Sequence, residues 1–170
     1  MTIAIPEAAP ARHQASADDM AFALFRPHLF FYRPWTGEGE MYGPKGQRVA
    51  GFTVSGDGRA SSRLGRVVQN WVFDNGHVQK TEWKILSTHG SDYRAIDAET
   101  GMLATGRQVG DAFVWALKVK GPTPFGERTL RVTTIYRMIS RGVAEAITTT
   151  TLWGLIKLGS MKAIYRRLDA

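Results

Sequence analysis

The chain of 170 residues contains no cysteine. This absence excludes disulfides, thiolate metal ligands, a cysteine nucleophile and a lipid-modified N-terminal cysteine. No apolar run approaches the roughly 20 residues that cross a bilayer, so we expect no membrane span. The N-terminus also lacks the basic and apolar regions of a signal peptide. Together these absences predict a cytoplasmic protein.

Acidic residues are fewer than basic ones, 15 against 22, which gives a formal net charge of +7. Positive charge favours anionic partners in general. The basic residues are spread along the predicted strands rather than packed into an arm, so we expect no nucleic-acid partner. The four histidines are scattered without metal-ligand spacing, and the sequence therefore predicts neither a metal nor a cofactor.

The segment 64–86 carries the clearest structural pattern, because two runs of β-branched and aromatic residues flank Asp74-Asn75-Gly76. Asn and Gly accept the positive φ angles of tight hairpin turns. A three-residue loop places Gln69 opposite Thr81 and gives one apolar and one charged face. A two-residue loop would move three charged residues onto the Trp71 face, so we prefer the first register. The inner row is then Val67, Gln69, Trp71, Phe73, Thr81, Trp83 and Ile85.

Turn-forming residues recur about every 8–12 residues from Trp35 onward, with no βα alternation, which predicts an all-β fold. We expect a single antiparallel up-and-down barrel of about 9–10 strands with a short N-terminal helix. Residues 1–15 are predicted as a flexible leader and 16–170 as one domain, whose helix spans 17–26 and ends at Pro27. Gly56-Asp57-Gly58 and 121–127 are predicted as connections. The remaining predicted strands are 36–42, 48–55, 93–97, 103–109, 112–120, 129–140, 143–153 and 160–167, the last as a strand or short helix.

A two-residue turn at Gly110-Asp111 fixes a second register. It places Trp115 opposite Gly106, where the indole covers the gap that a glycine leaves. Gln108 then faces inward opposite Phe113.

Asp97 is the least ordinary residue predicted to face inward. If Ala95 sits opposite Ala104, Tyr93 and Asp97 point into the barrel as well. A lone buried carboxylate is unfavourable, so Asp97 must be paired, protonated or near the mouth of the barrel.

These glycines and aromatics resemble those of an uncharacterised bacterial family of lipocalin-like domains, over about residues 35–167. The resemblance implies a lipocalin-like barrel and supplies no catalytic residue. Gln69 and Thr81 stand where that family tends to have an acid and an arginine, which implies a different ligand. The similar segments are Tyr93-x-Ala95-x-Asp97, Ala104-x-Gly106-x-x-x-Gly110-Asp111-Ala112-x-x-Trp115, Trp71-x-Phe73-x-Asn75-Gly76, Trp83-x-Ile85, and Gly154 with Gly159.

Small antiparallel barrels often hold one small ligand among large side chains and a few polar groups. The aromatic inner row predicts a small, largely apolar or aromatic molecule. The alternative is a solid core filled by the same side chains. The predicted ligand-binding residues are Gln69, Trp71, Thr81, Trp83, Gln108, Trp115 and Tyr136.

A second hypothesis is catalysis in the same cavity. Asp97 and Tyr93 would act as base and acid of a cofactor-independent lyase, isomerase or cyclase, because burial raises the pKa of a carboxyl group. The competing interpretation is that Asp97 accepts backbone N–H bonds at the turn before Gly101. A third hypothesis is a structural or interaction protein with a basic outer face. A homodimer packed through Val68 and Val72 is compatible with all three.

Overall fold

The computed structural model describes residues 24–60, 64–87 and 92–169. Ten antiparallel strands follow one another around a closed barrel, and the last strand pairs with the first. The predicted all-β, up-and-down, lipocalin-like barrel with one short N-terminal helix is therefore confirmed. The elements are α1 (Pro27–Phe31), β1 (Trp35–Tyr42), β2 (Arg48–Ala60), β3 (Leu64–Phe73), β4 (Val78–Ser87), β5 (Asp92–Asp97), β6 (Leu103–Val109), β7 (Ala112–Thr123), β8 (Gly126–Ser140), β9 (Val143–Leu152) and β10 (Ile156–Arg167).

The helix α1 begins at Pro27, which the sequence predicted as the end of a helix. A proline ring fixes φ near the helical value and lacks the N–H that a first turn leaves unpaired, so proline suits a helix start. Residues 24–26 are not helical. The predicted helical residues 17–23, like the predicted leader 1–15, lie outside the described residues. Within the described ranges, no helix is long and apolar enough to cross a bilayer.

Both predicted registers are confirmed. Gln69 pairs with Thr81 across β3 and β4, and Gly106 pairs with Trp115 across β6 and β7. In the first hairpin Gly76 adopts a φ of 81°. Ala95 pairs with Ala104, which is the pairing that the inward placement of Tyr93 and Asp97 requires.

Two predicted connections are instead strand. Gly56-Asp57-Gly58 lies inside β2. A Cβ at Gly56 would collide with the Trp35 indole, and one at Gly58 with the backbone carbonyl of Phe31. The glycines are therefore needed for close packing rather than for a turn. The predicted loop 121–127 is mostly the ends of β7 and β8, and the 160–167 segment is strand within β10.

Aromatic residues of α1 and the residues before it close one end of the barrel. The rings of Phe25, Phe30 and Phe31, here named the aromatic plug, are all buried. Phe25 stacks on Tyr136 with centroids 4.7 Å apart, and Phe31 meets Trp35 at 5.2 Å. We call this end the closed end, and the end with the β3–β4 and β7–β8 hairpin loops the open end.

We expect Gly56→Ala to lower the free energy of unfolding by about 1–3 kcal/mol, because the new methyl group displaces the Trp35 indole. The control is Gly51→Ala on the same strand, where a Cβ meets chiefly the guanidinium end of Arg48, which can move into solvent. Urea unfolding followed by tryptophan fluorescence measures both variants. Equal stability of the two variants would contradict this account of Gly56.

Candidate ligand-binding site

Beneath the aromatic plug the barrel encloses a cavity of about 220 Å³. A dry apolar cavity of about 150 Å³ is enough to hold benzene, so this space suits a small aromatic molecule. The cavity residues Phe31 and Tyr165 at the closed end are buried, whereas Trp71 and Trp83 nearer the open end are half-buried. The lining consists of Phe31, Val67, Gln69, Trp71, Trp83, Ile85, Ala95, Ala104, Trp115, Leu117, Val132, Thr134, Tyr136, Thr148, Met161 and Tyr165.

None of the described residues that line this cavity carries a formal charge at neutral pH. The charged neighbours on the hairpin face outward. Arg66 donates to Glu82 at 2.6 and 2.7 Å on the outer face of β3 and β4. Strand alternation therefore separates a neutral interior from a charged exterior.

Gln69 and Thr81 form the neutral cross-strand pair that the hairpin register predicted. The Thr81 hydroxyl donates to Gln69 Oε1 at 3.0 Å. The bond fixes the amide orientation and leaves the Gln69 NH₂ group free to donate, since no described residue accepts from it. Because Gln69 lines the cavity, the amide is a candidate donor to a bound molecule.

A second polar pair spans β8 and β9. Thr134 and Thr148 lie opposite each other, both are buried, and their hydroxyl oxygens are 2.9 Å apart. One hydroxyl donates to the other, so the accepting threonine keeps its own hydrogen and the pair adds a polar group to the wall. Alternate residues of β9 face the interior, and Thr148 is one of those that line the cavity.

Two phenol groups lie where the cavity meets the aromatic plug. The rings of Tyr136 and Tyr165 are 5.9 Å apart, and both line the cavity. Among the described residues, neither hydroxyl has a hydrogen-bond partner. Burial raises the pKa of Tyr136 above the range of ordinary tyrosines, and burial together with the neighbouring Tyr136 raises the pKa of Tyr165. Both phenols therefore stay protonated and can donate.

Five of the seven predicted ligand-binding residues line the cavity, which brings Gln69, Trp71, Trp83, Trp115 and Tyr136 together. Thr81 does not line it, but its hydroxyl donates to Gln69, which does. Gln108 lies elsewhere, because its amide donates to the Gly110 carbonyl at 3.1 Å. The binding role of these residues stays a prediction.

Asp97 is buried as predicted, yet its carboxylate is engaged in the turn that follows β5. Its Oδ1 accepts from the Glu99 N–H at 3.2 Å and from the Thr100 N–H and hydroxyl at 2.7 Å. Burial alone would raise the pKa of Asp97, but these hydrogen bonds outweigh it and lower the pKa. The expectation of a raised pKa is wrong. The competing interpretation, a turn carboxylate, describes the geometry.

The Tyr93 hydroxyl also has its hydrogen-bond partner outside the cavity. Its hydroxyl lies 2.8 Å from Nδ1 of His28. Burial raises the pKa of Tyr93, and burial with the nearby Arg26 lowers the pKa of His28. The neutral histidine and phenol thus tie the helix region to β5. Sequence reasoning missed this contact, because nothing local links residues 65 positions apart.

Tyr165, Met161 and Thr134 belong to the cavity but were not predicted as site residues. The inward alternation along β9, where Ala144, Ala146 and Thr148 are buried, was visible in the sequence. Extended across the β9–β10 hairpin, the same alternation would have placed Tyr165 inward.

A family model described as "Protein of unknown function (DUF3833)" matches residues 9–167. No curated protein matches the chain. Among solved structures, the S-type phycobiliprotein lyase CpeS from Guillardia theta superposes with a TM-score of 0.65 and 8% sequence identity, over 89% of this chain and 97% of that one. At this identity the likeness concerns the fold alone.

We expect Asp97→Ala to lower the free energy of unfolding by about 1–3 kcal/mol at pH 7, because three donors lose their acceptor. Asp97→Asn keeps an oxygen at that position and should lower it by less. The folded pKa lies below the ordinary value of 3.8, so the charge-dependent stabilisation is complete above that value and is lost as the pH falls through the folded pKa.

Urea unfolding at pH 7 and in acid measures both effects. The stability gap between the natural chain and Asp97→Asn should narrow below about pH 3.8. A gap that widens in acid, or an Asp97→Ala variant as stable as the natural chain, would contradict the role of Asp97 in the turn.

Proposed function

The chain belongs to the DUF3833 family of proteins of unknown function, and we propose that its barrel binds one small, uncharged, largely apolar or aromatic molecule. The observation that carries the proposal is an uncharged cavity of about 220 Å³ walled by Trp71, Trp83 and Trp115. A filled barrel would have no such space. Aromatic walls stack on flat ligands and contribute beyond simple burial of area.

The neutral lining supports a neutral ligand. Transfer of a carboxylate or ammonium group into an apolar site is strongly unfavourable unless an opposite charge accompanies it. None of the described lining residues could supply that charge. The polar groups present are hydroxyls, indoles and one amide.

The unpaired donors support a ligand with an acceptor oxygen. The hydroxyls of Tyr136 and Tyr165 and the Gln69 amide all belong to cavity-lining residues. A ligand carbonyl in the cavity would accept a hydrogen bond from one of these donors. We therefore propose a ketone, aldehyde, quinone or similar group on an apolar frame.

The alternative of a cofactor-independent lyase, isomerase or cyclase receives less support from the geometry. Neither Asp97 nor Tyr93 lines the cavity, and each has a hydrogen-bond partner elsewhere. The similarity to a phycobiliprotein lyase, at 8% identity, supports the type of barrel and not a reaction.

The test compares three probes of similar shape, 2-acetylnaphthalene, 2-ethylnaphthalene and 2-naphthoate, by tryptophan quenching and thermal shift. We expect the ketone to bind most tightly, the hydrocarbon more weakly and the carboxylate least. Tyr136→Phe and Tyr165→Phe should each weaken the ketone by up to about tenfold and leave the hydrocarbon unchanged.

Two further variants serve as controls. Tyr42→Phe removes a phenol that bonds to Glu40 away from the cavity and should alter no affinity. Ala95→Leu fills the cavity and should abolish binding of all three probes while the barrel still folds. The proposal fails if no neutral probe binds, or if Ala95→Leu binds as well as the natural chain.

A further inference from the structure

Four large apolar side chains protrude at the open end of the barrel, on the tips of the β7–β8 and β9–β10 hairpins. Phe125, Trp153, Leu155 and Ile156 are 58%, 64%, 87% and 45% exposed. Phe125 and Trp153 stack with ring centroids 6.1 Å apart, so the two tips form one surface. We name this surface the tip patch. Contiguous exposed apolar side chains of this kind mark interaction sites.

The backbone at Trp153 is strained. Trp153 adopts a φ of 55° and is the one non-glycine residue with positive φ in the described ranges. For a bulky residue this conformation is unfavourable, while glycine or asparagine adopts it readily. The fold would therefore be more stable with glycine or asparagine at position 153. Backbone strain that a protein retains in this way is typical of functional positions.

Both tips are held in shape by local hydrogen bonds. The Thr123 hydroxyl donates to the Gly126 carbonyl at 2.7 Å and accepts from the Phe125 N–H at 3.1 Å. The Leu155 N–H donates to the Leu152 carbonyl at 3.1 Å. The apolar side chains are thus presented in a fixed arrangement.

A row of basic residues crosses the outer face of the same four strands. Lys118 pairs with Arg131, Arg131 with Thr151, and Thr151 with Lys157. All three cations are exposed, and none forms an ion pair with a described carboxylate. Like charges directly opposite on neighbouring strands are destabilising. We name these three residues the basic row. Their placement does not stabilise the fold, so stability does not explain why they lie together.

We propose that the tip patch and the basic row together bind the surface of an anionic lipid bilayer. Aromatic and aliphatic side chains enter the headgroup region, while lysine and arginine are attracted to anionic lipids. A second copy of the chain is a poorer occupant, since two equally basic surfaces repel. A nucleic acid would leave the protruding Leu155 and Ile156 in water.

The test is sedimentation of the full chain with phosphatidylcholine vesicles, with and without phosphatidylglycerol. We expect binding to the mixed vesicles alone, and loss of that binding at high salt. The double variant Trp153→Asn, Leu155→Ser should weaken it by about tenfold or more. Arg131→Gln with Lys157→Gln should also weaken it by about tenfold or more. Asparagine tolerates positive φ, so the first variant should fold at least as stably as the natural chain.

Matched controls lie at the closed end. Ile139→Ser removes an apolar side chain that is 57% exposed, and Arg107→Gln removes an exposed cation; neither should alter binding. Absence of vesicle binding would overturn the proposal. So would equal loss in the controls, or a concentration-dependent dimer in lipid-free solution that Trp153→Asn dissociates.

Discussion

The pairing of the first strand with the last is the constraint on which the rest of the molecule depends. Trp35 to Tyr42 of β1 run opposite Arg167 to Ser160 of β10. Without this closure the sheet would expose two unpaired edges. Side chains just fill a barrel of about eight strands, and ten strands enclose a wider interior. The cavity is therefore a consequence of strand number, and the aromatic plug fills only one end of it.

Glycines on β1 make that closure compatible with large aromatic rings. A Cβ at Gly37 would lie 2.7 Å from the Tyr165 ring, and one at Gly39 would lie 2.6 Å from Phe52. The rings occupy the space that side chains on β1 would have taken. In this way the backbone of one strand determines where the phenol of another can lie. The position of the Tyr165 phenol beside the cavity therefore depends on glycines, which have no side chain.

Local patterns in the sequence predicted registers well and long-range packing poorly. The hairpin around Asn75-Gly76 could be predicted, because its turn residues and alternating strands lie within one short segment. Gly56 and Pro27 were misinterpreted, since the first makes room for Trp35 and the second starts a helix that the barrel end positions. For Asp97 the sequence predicted burial but could not decide between catalysis and turn formation. The fold shows that three nearby hydrogen-bond donors hold the carboxylate in the turn.

The aromatic plug also determines the route by which a ligand would enter and leave the cavity. With Phe31 against Trp35 and Tyr165 at 5.2 and 6.3 Å, the barrel is a cup with a base rather than a tube. A molecule seated on that base has the same route for entry and departure, and its deepest atoms are the first in and the last out. Contacts at the base would then govern how long the proposed ligand stays bound.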